Sequence, residues 1–199
     1  MNENRVYEGI VNTYVKLIRN MRYDPKNDGR YSGDTHTFND DPKSPYFGFI
    51  PNDVEPVVSN LLKIHNYLYN KDKYKQYRFL DAGCGLGNIL IIASVIGFEP
   101  HGIELDPKTI RLFKKLFKGL MLGITIEKSN MITYNKYGEF DVIYYYVPVR
   151  DGEIMMQATE NIANGMKSGA IILPYGFSHP FREDKRFKFM KRCYGWIKK

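Results

Sequence analysis

The chain has 199 residues and 43% hydrophobic content, enough for one domain with a real core. Its longest apolar stretch, "ILIIASVIGF" at 89–98, is too short to span a bilayer, and the polar start "MNENRVYE" is not what a signal peptide requires. The net charge of +7 is concentrated: residues 182–199 hold eight Lys/Arg against two acids, while the rest nearly balances at 21 basic and 20 acidic groups.

In chain order, Val6, Ile10, Tyr14, Leu17 and Met21 fall at helical spacing. The following "YDPKNDGRYSGDTHTFNDDPKSPY" is rich in Asp, Asn, Gly and Pro and predicts a long loop. Its residues 24–45 bury too little surface to order alone and are expected to order when a ligand binds. These segments form an N-terminal extension, 1–49, ahead of a domain over 50–199. A second helix is predicted over 53–69, with Val54, Val57, Val58, Leu61, Leu62 and Leu68 apolar and Pro56 in its first turn.

From Arg78 onward, strands and helices alternate: strand 78–82, helix 86–96, strand 101–105, helix 107–118, strands 123–129 and 140–147, helix 152–164 and strand 170–174. Asp106 is placed to cap the helix that Pro107 opens, and Gly119 to end it. Strands joined by helical crossovers predict an α/β fold, a mostly parallel sheet covered on both faces. The closing "RFKFMKRCYGWIKK" reads as two short strands at one edge, with Phe187 and Phe189 buried and Lys188 exposed. Its charge is either that of a solvated edge, which lysines protect from pairing, or a dock for an acidic partner, nucleic acid or protein. Cys84 and Cys193 make neither a metal spacing nor a disulfide framework, and His36, His65, His101 and His179 are scattered. A reduced, cytoplasmic setting without a metal is expected.

The stretch "FLDAGCGLGN" at 79–88 carries the chemistry. A strand runs into Asp81-x-Gly83-x-Gly85-x-Gly87. The dinucleotide fingerprint Gly-x-Gly-x-x-Gly needs its third glycine at position 88, which is Asn88, and no Gly-Lys-Ser/Thr follows for a phosphate loop. The next strand ends in Glu104, 17 residues beyond Gly87, where a carboxylate accepts two hydrogen bonds from a ribose diol.

Asp81-Ala-Gly-Cys-Gly-Leu-Gly followed by Gly-Ile-Glu resembles motifs I and II of the class I S-adenosylmethionine-dependent methyltransferases, over roughly residues 50–199. The resemblance implies a Rossmann-like doubly wound sheet and S-adenosyl-L-methionine as cofactor. It places the methionine end over Asp81, Gly83, Gly85 and Gly87, and the ribose hydroxyls on Glu104. The family's adenine contact, usually an acid, falls at Asn130, which keeps an acceptor oxygen, with Met131 either on the ring or in the core.

The acceptor is read at the end of the fourth strand. Enzymes acting on exocyclic base amines carry Asp/Asn-Pro-Pro-Tyr/Phe there, whereas this chain has Tyr145-Tyr146-Val147-Pro148. Tyr144 and Tyr145 read equally as buried strand residues, and Tyr146, at the exit, is the candidate site residue. Upstream, Phe49-Ile50-Pro51-Asn52 resembles the Tyr/Phe-Val-Pro-Thr-Pro segment of small archaeal and mitochondrial protein-lysine methyltransferases, with two departures, or is a plain helix lead-in. The leading expectation is N-methylation of an amine such as a protein lysine, in a channel lined by Phe49, Tyr146 and Tyr175. RNA or DNA methylation and a non-catalytic module that only binds cofactor are the alternatives.

Overall fold

The computed structural model describes residues 54–116, 123–146, 149, 151–176 and 180–199. The expected first helix, the polar loop, the 49–52 segment with Phe49, and Gly119 lie outside the described residues.

Helix α1 (Val54–Lys71) places Val57, Val58, Leu61, Ile64 and Leu68 on one buried stripe. Strand β1 (Arg78–Ala82) leads through the glycine turn into α2 (Asn88–Ile96), two residues later than predicted. Then come β2 (Glu99–Glu104), α3 (Pro107–Leu116), β3 (Thr125–Lys128) and β4 (Val142–Tyr146). Helix α4 (Gly152–Gly165) is capped by Asp151, whose carboxylate accepts the N–H groups of Glu153 and Ile154. Strands β5 (Ile171–Tyr175), β6 (Phe187–Met190) and β7 (Gly195–Lys198) complete the chain.

All seven strands form one sheet in the order β3-β2-β1-β4-β5-β7-β6. Strands β1 to β5 pair in parallel, and β7 runs antiparallel between β5 and β6. Strand order reverses direction between β1 and β4, the switch point at which open α/β sheets bind ligands. Side chains alternate across the sheet. Phe79, Tyr144, Ile171 and Leu173 pack with α1 and α2 on one face. Leu80, Ile143, Tyr145, Ile172 and Trp196 pack with α4 on the other. Both faces are therefore dry, as the continuous apolar strands anticipate.

The amino edge of the sheet is electrostatically closed. Asp141, just before β4, is buried, yet accepts the ammonium of Lys75 at 2.7 Å and the N–H of Arg78 at 3.0 Å, and pairs with Lys167 at 2.9 Å. Burial pulls its carboxyl upward, but these three donors outweigh that and hold it below the ordinary value.

Two features of the basic end depart from the sequence expectation. Phe187 is buried against Phe181, at 4.7 Å between ring centroids, but Phe189 lies beyond that cover and is 43% exposed. Lys198 does not project as free charge: its Nζ donates to the carbonyls of Ala163 (2.7 Å), Asn164 (3.2 Å) and Met166 (2.6 Å), closing the C-terminus of α4. Arg186 is likewise committed, to Asp184 and Glu160. The turn joining β6 to β7 holds Tyr194 at φ 50, the sole non-glycine residue with positive φ among those described. That conformation costs an L-residue about 1–2 kcal/mol.

Lys198→Met keeps the stem and removes the ammonium from three carbonyls. Stability should fall by about 1–2 kcal/mol in denaturant titration; an unchanged midpoint would show that water replaces the cation at no cost.

Candidate functional site

The glycine turn sits at the carboxyl edge, beside the switch point. Gly83, Gly85 and Gly87 have φ of 81, 52 and 72, all in the left-handed region that a side chain resists. The N–H groups of Gly83 and Cys84 both donate to Ile103 O, at 2.9 and 3.0 Å, which straps the turn onto β2. A Cβ at Gly87 would lie 2.6 Å from the Phe113 ring, so this glycine also lets α3 close against α2.

Gly102, the glycine of Gly-Ile-Glu, completes the turn, a role the sequence reading did not assign to it. A Cβ there would lie 2.7 Å from both Cys84 Sγ and Leu90 Cδ1. Only a bare backbone on β2 lets the turn lie flat. An isolated glycine inside a strand pattern is the signal that marks such an approach.

Glu104 ends β2 beneath the turn. Its Oε2 accepts the Gly85 N–H at 2.9 Å, and its Oε1 accepts those of Leu105 (2.7 Å) and Asp106 (2.9 Å). Burial raises its carboxyl pKa despite these three bonds. Asp81 is more extreme. It is 3% exposed, and no hydrogen-bond donor among the described residues reaches its carboxylate. Burial, and then the neighbouring Glu104 charge, push it well above the usual carboxylate range. The site thus holds two neighbouring acids of like charge, a buried, unpartnered Asp81 and a half-buried Glu104. Such a pair calls for a cation and repels a pyrophosphate.

The register shows which side chains share this face. Asp81 pairs with Gly102 on β2 and with Tyr144 on β4, and Tyr146 pairs with Tyr175 on β5. By the strand alternation, Asp81, Glu104, Tyr144, Tyr146 and Tyr175 all point to the α1–α2 side. Tyr144 is buried, its ring centroid 5.5 Å from that of Tyr175, while Tyr146 is half-buried at the strand exit. Asn60, buried on α1, donates its Nδ2 to the Tyr175 hydroxyl at 2.5 Å. Its role was invisible in the sequence, because the bond joins residues far apart in the chain.

The remaining candidates separate. Asn130 follows β3 on the same edge, where the N–H of its neighbour Ser129 donates to Glu104 O. Its Oδ1 accepts the Ile132 N–H at 2.9 Å, leaving one lone pair for a ligand. Met131 is core, in the cluster on the α4 face. Asp106 caps α3, accepting from the N–H groups of Lys108 and Thr109. Tyr145 is buried on the far face. Among the described residues no group of His, Cys, Asp and Glu could hold a metal ion, and no helix is long and apolar enough to cross a membrane.

No family model matches the sequence, and a comparison with curated proteins returns no match. Solved structures do match. An RNA methyltransferase from Salinibacter ruber, in complex with S-adenosyl-L-homocysteine, superposes at a TM-score of 0.53 with 18% identity, over 75% of this chain and 91% of that one. The glycopeptide N-methyltransferase MtfA matches at 0.46 and 11% identity, over 63% and 62%. CalS10, an amino pentose methyltransferase from Micromonospora echinaspora, matches at 0.47 and 16%, over 67% and 59%. The chain spans less than two thirds of the length of the last two. At these identities the likeness is one of architecture. Together with the strand order and the turn, it gives the chain the Rossmann-like fold of the class I S-adenosylmethionine-dependent methyltransferases.

Proposed function

We propose that the chain is an S-adenosylmethionine-dependent methyltransferase that N-methylates an amine, with a protein lysine as the favoured acceptor and a cytoplasmic setting. The observation that carries this reading is the unpartnered, buried Asp81 beside Glu104 under the glycine turn. S-adenosylmethionine carries a sulfonium and an ammonium, and supplies the methyl group when bound. Asp81 and Glu104 would neutralise its positive charge, Glu104 would also accept its ribose diol, and the bare backbone of Gly83 and Gly85 would let it approach closely. Asn130 Oδ1 has one lone pair left for the adenine amine.

Tyr146 and Tyr175 then border the transfer site. Alignment supplies most of the help that such an in-line displacement needs. A lysine ammonium loses its proton before attack, which costs about 4 kcal/mol near pH 7.4 from a reference pKa of about 10.4. An apolar tyrosine wall lowers that cost by desolvating the cation, while the ring faces draw it in. The absence of Asp and Asn from "YYVP" favours this over a base amine held by side-chain amide and carbonyl. A nucleic-acid acceptor is the second reading, supported by the basic end of the chain and by the RNA methyltransferase that shares the fold.

Calorimetry should detect S-adenosylmethionine or S-adenosylhomocysteine binding and none of NAD. Glu104→Ala should weaken it by about 1.5–3 kcal/mol, the range for a hydrogen bond to a charged group. Unchanged affinity in a folded variant would remove Glu104 from the site.

Because Asp81 and Glu104 have raised pKa values when folded, the folded chain binds more protons than the unfolded one. That excess spans the interval from the ordinary carboxylate value of about 4 up to the raised ones. Stability from this pair is therefore present at acid pH and is lost as pH rises through the folded values. Asp81→Asn should raise the melting temperature of the cofactor-free chain at neutral pH and flatten the fall in its stability as pH rises above the ordinary carboxylate value. Binding of the cationic cofactor to the wild type should release protons, read from calorimetry in buffers of different ionisation enthalpy. A destabilised Asn variant with no proton release would mean that Asp81 has a partner in solution.

Tyr146→Ala should lower kcat/KM for methyl transfer by about 10–100-fold through misalignment, with S-adenosylhomocysteine affinity unchanged. Equal loss in both measurements would place Tyr146 at the cofactor instead.

A further inference from the structure

The reversed strand β7 makes β6 run in the same sense as β1 to β5, so Met190 ends β6 at the carboxyl edge. The four-residue turn 191–194 that follows stands on the same rim as the glycine turn, Tyr146 and Tyr175. From β4 to β6 is three strand spacings, about 14 Å.

We propose that this turn and the end of β6 are a docking surface for a single-stranded nucleic acid, whichever amine the chain methylates. Lys188, Lys191 and Arg192 are exposed, form no ion pair among the described residues, and face no acid in the sequence from Phe187 to the last residue. Among these cations lie two exposed aromatic rings, Phe189 at 43% and Tyr194 at 69%. Phe189 packs tilted against Trp196, at 4.9 Å between centroids and 51° between planes, and meets Tyr194 edge to face at 6.3 Å, so the outer ring is braced.

Folding does not account for Tyr194. The turn closes through the Cys193 N–H donating to Met190 O, at 3.1 Å, and position 194 takes the left-handed conformation at which glycine or asparagine is at ease. A bulky side chain there opposes the backbone and buries little of its surface. A solvated edge would explain the lysines but not the two rings. A ring presented among cations matches a partner with planar bases and a phosphate backbone, because bases stack on aromatic faces whatever their sequence. A duplex hides those faces, and an acidic protein offers the charge without them.

The test is fluorescence anisotropy of a labelled ten-nucleotide single-stranded RNA with the full chain, without cofactor, across a salt series. The wild type should bind the single strand more tightly than a duplex of the same sequence or polyglutamate. Tyr194→Gly, which also relieves the backbone, should weaken binding about tenfold. Lys188→Gln, Lys191→Gln and Arg192→Gln together should weaken it and reduce the slope of log affinity on log salt by about 2. S-adenosylhomocysteine affinity should stay unchanged in both variants, so failure of the dock and failure of the cofactor reading are read separately. No binding by the wild type, equal binding of duplex or polyglutamate, or indifference to both variants would overturn the proposal.

Discussion

A buried carboxylate must be paired, protonated or matched by a ligand, and this fold treats its two buried aspartates in opposite ways. Asp141, at the amino edge, is met by Lys75, Lys167 and the Arg78 N–H and stays ionised. Asp81, one strand away at the carboxyl edge, is met by nothing among the described residues and carries the added repulsion of Glu104. The first arrangement holds the crossovers at the bottom of the sheet. The second is a local destabilisation that makes sense as a binding site, since a cation entering there relieves an energy that the empty fold must carry.

The geometry around Asp81 depends on missing side chains as much as on those present. Gly102 and Gly87 let the turn settle against β2 and α3, and the N–H groups that the turn offers inward are taken by Ile103 O and Glu104. Glu104 therefore plays two parts: it holds the turn through Gly85 and the strand exit through Leu105 and Asp106. A diol would share a carboxylate that is already oriented, so little reorganisation is left for binding.

How much of this was legible in the sequence follows from the range of each interaction. Asp81-Ala-Gly-Cys-Gly-Leu-Gly announced itself because three positive φ values within five residues demand glycine locally. Helix α3 was equally plain, with Asp106 and Pro107 at its start. The parallel sheet and the two closing strands followed from alternation. Asn60 and Lys198 were missed for one reason: each acts between layers, on Tyr175 and the end of α4, through pairings that no local pattern encodes. Phe189 was misjudged because alternation assigns a face but does not say where the cover on that face stops.

Along the carboxyl edge, the strand order sorts charge. Asp81 and Glu104, on β1 and β2, are acidic; Tyr146 and Tyr175, on β4 and β5, are neutral and aromatic; Lys188, Lys191 and Arg192, on and after β6, are basic. The two charged ends are about 19 Å apart, counted as four strand spacings from β1 to β6. That is more than twice the Debye length of about 8 Å at physiological salt, so neither end cancels the field of the other. A cationic nucleoside and an anionic chain would each find its own end, with the tyrosines between them. The antiparallel β7 makes this possible, because a parallel β7 would put the β6–β7 turn that precedes it at the opposite edge.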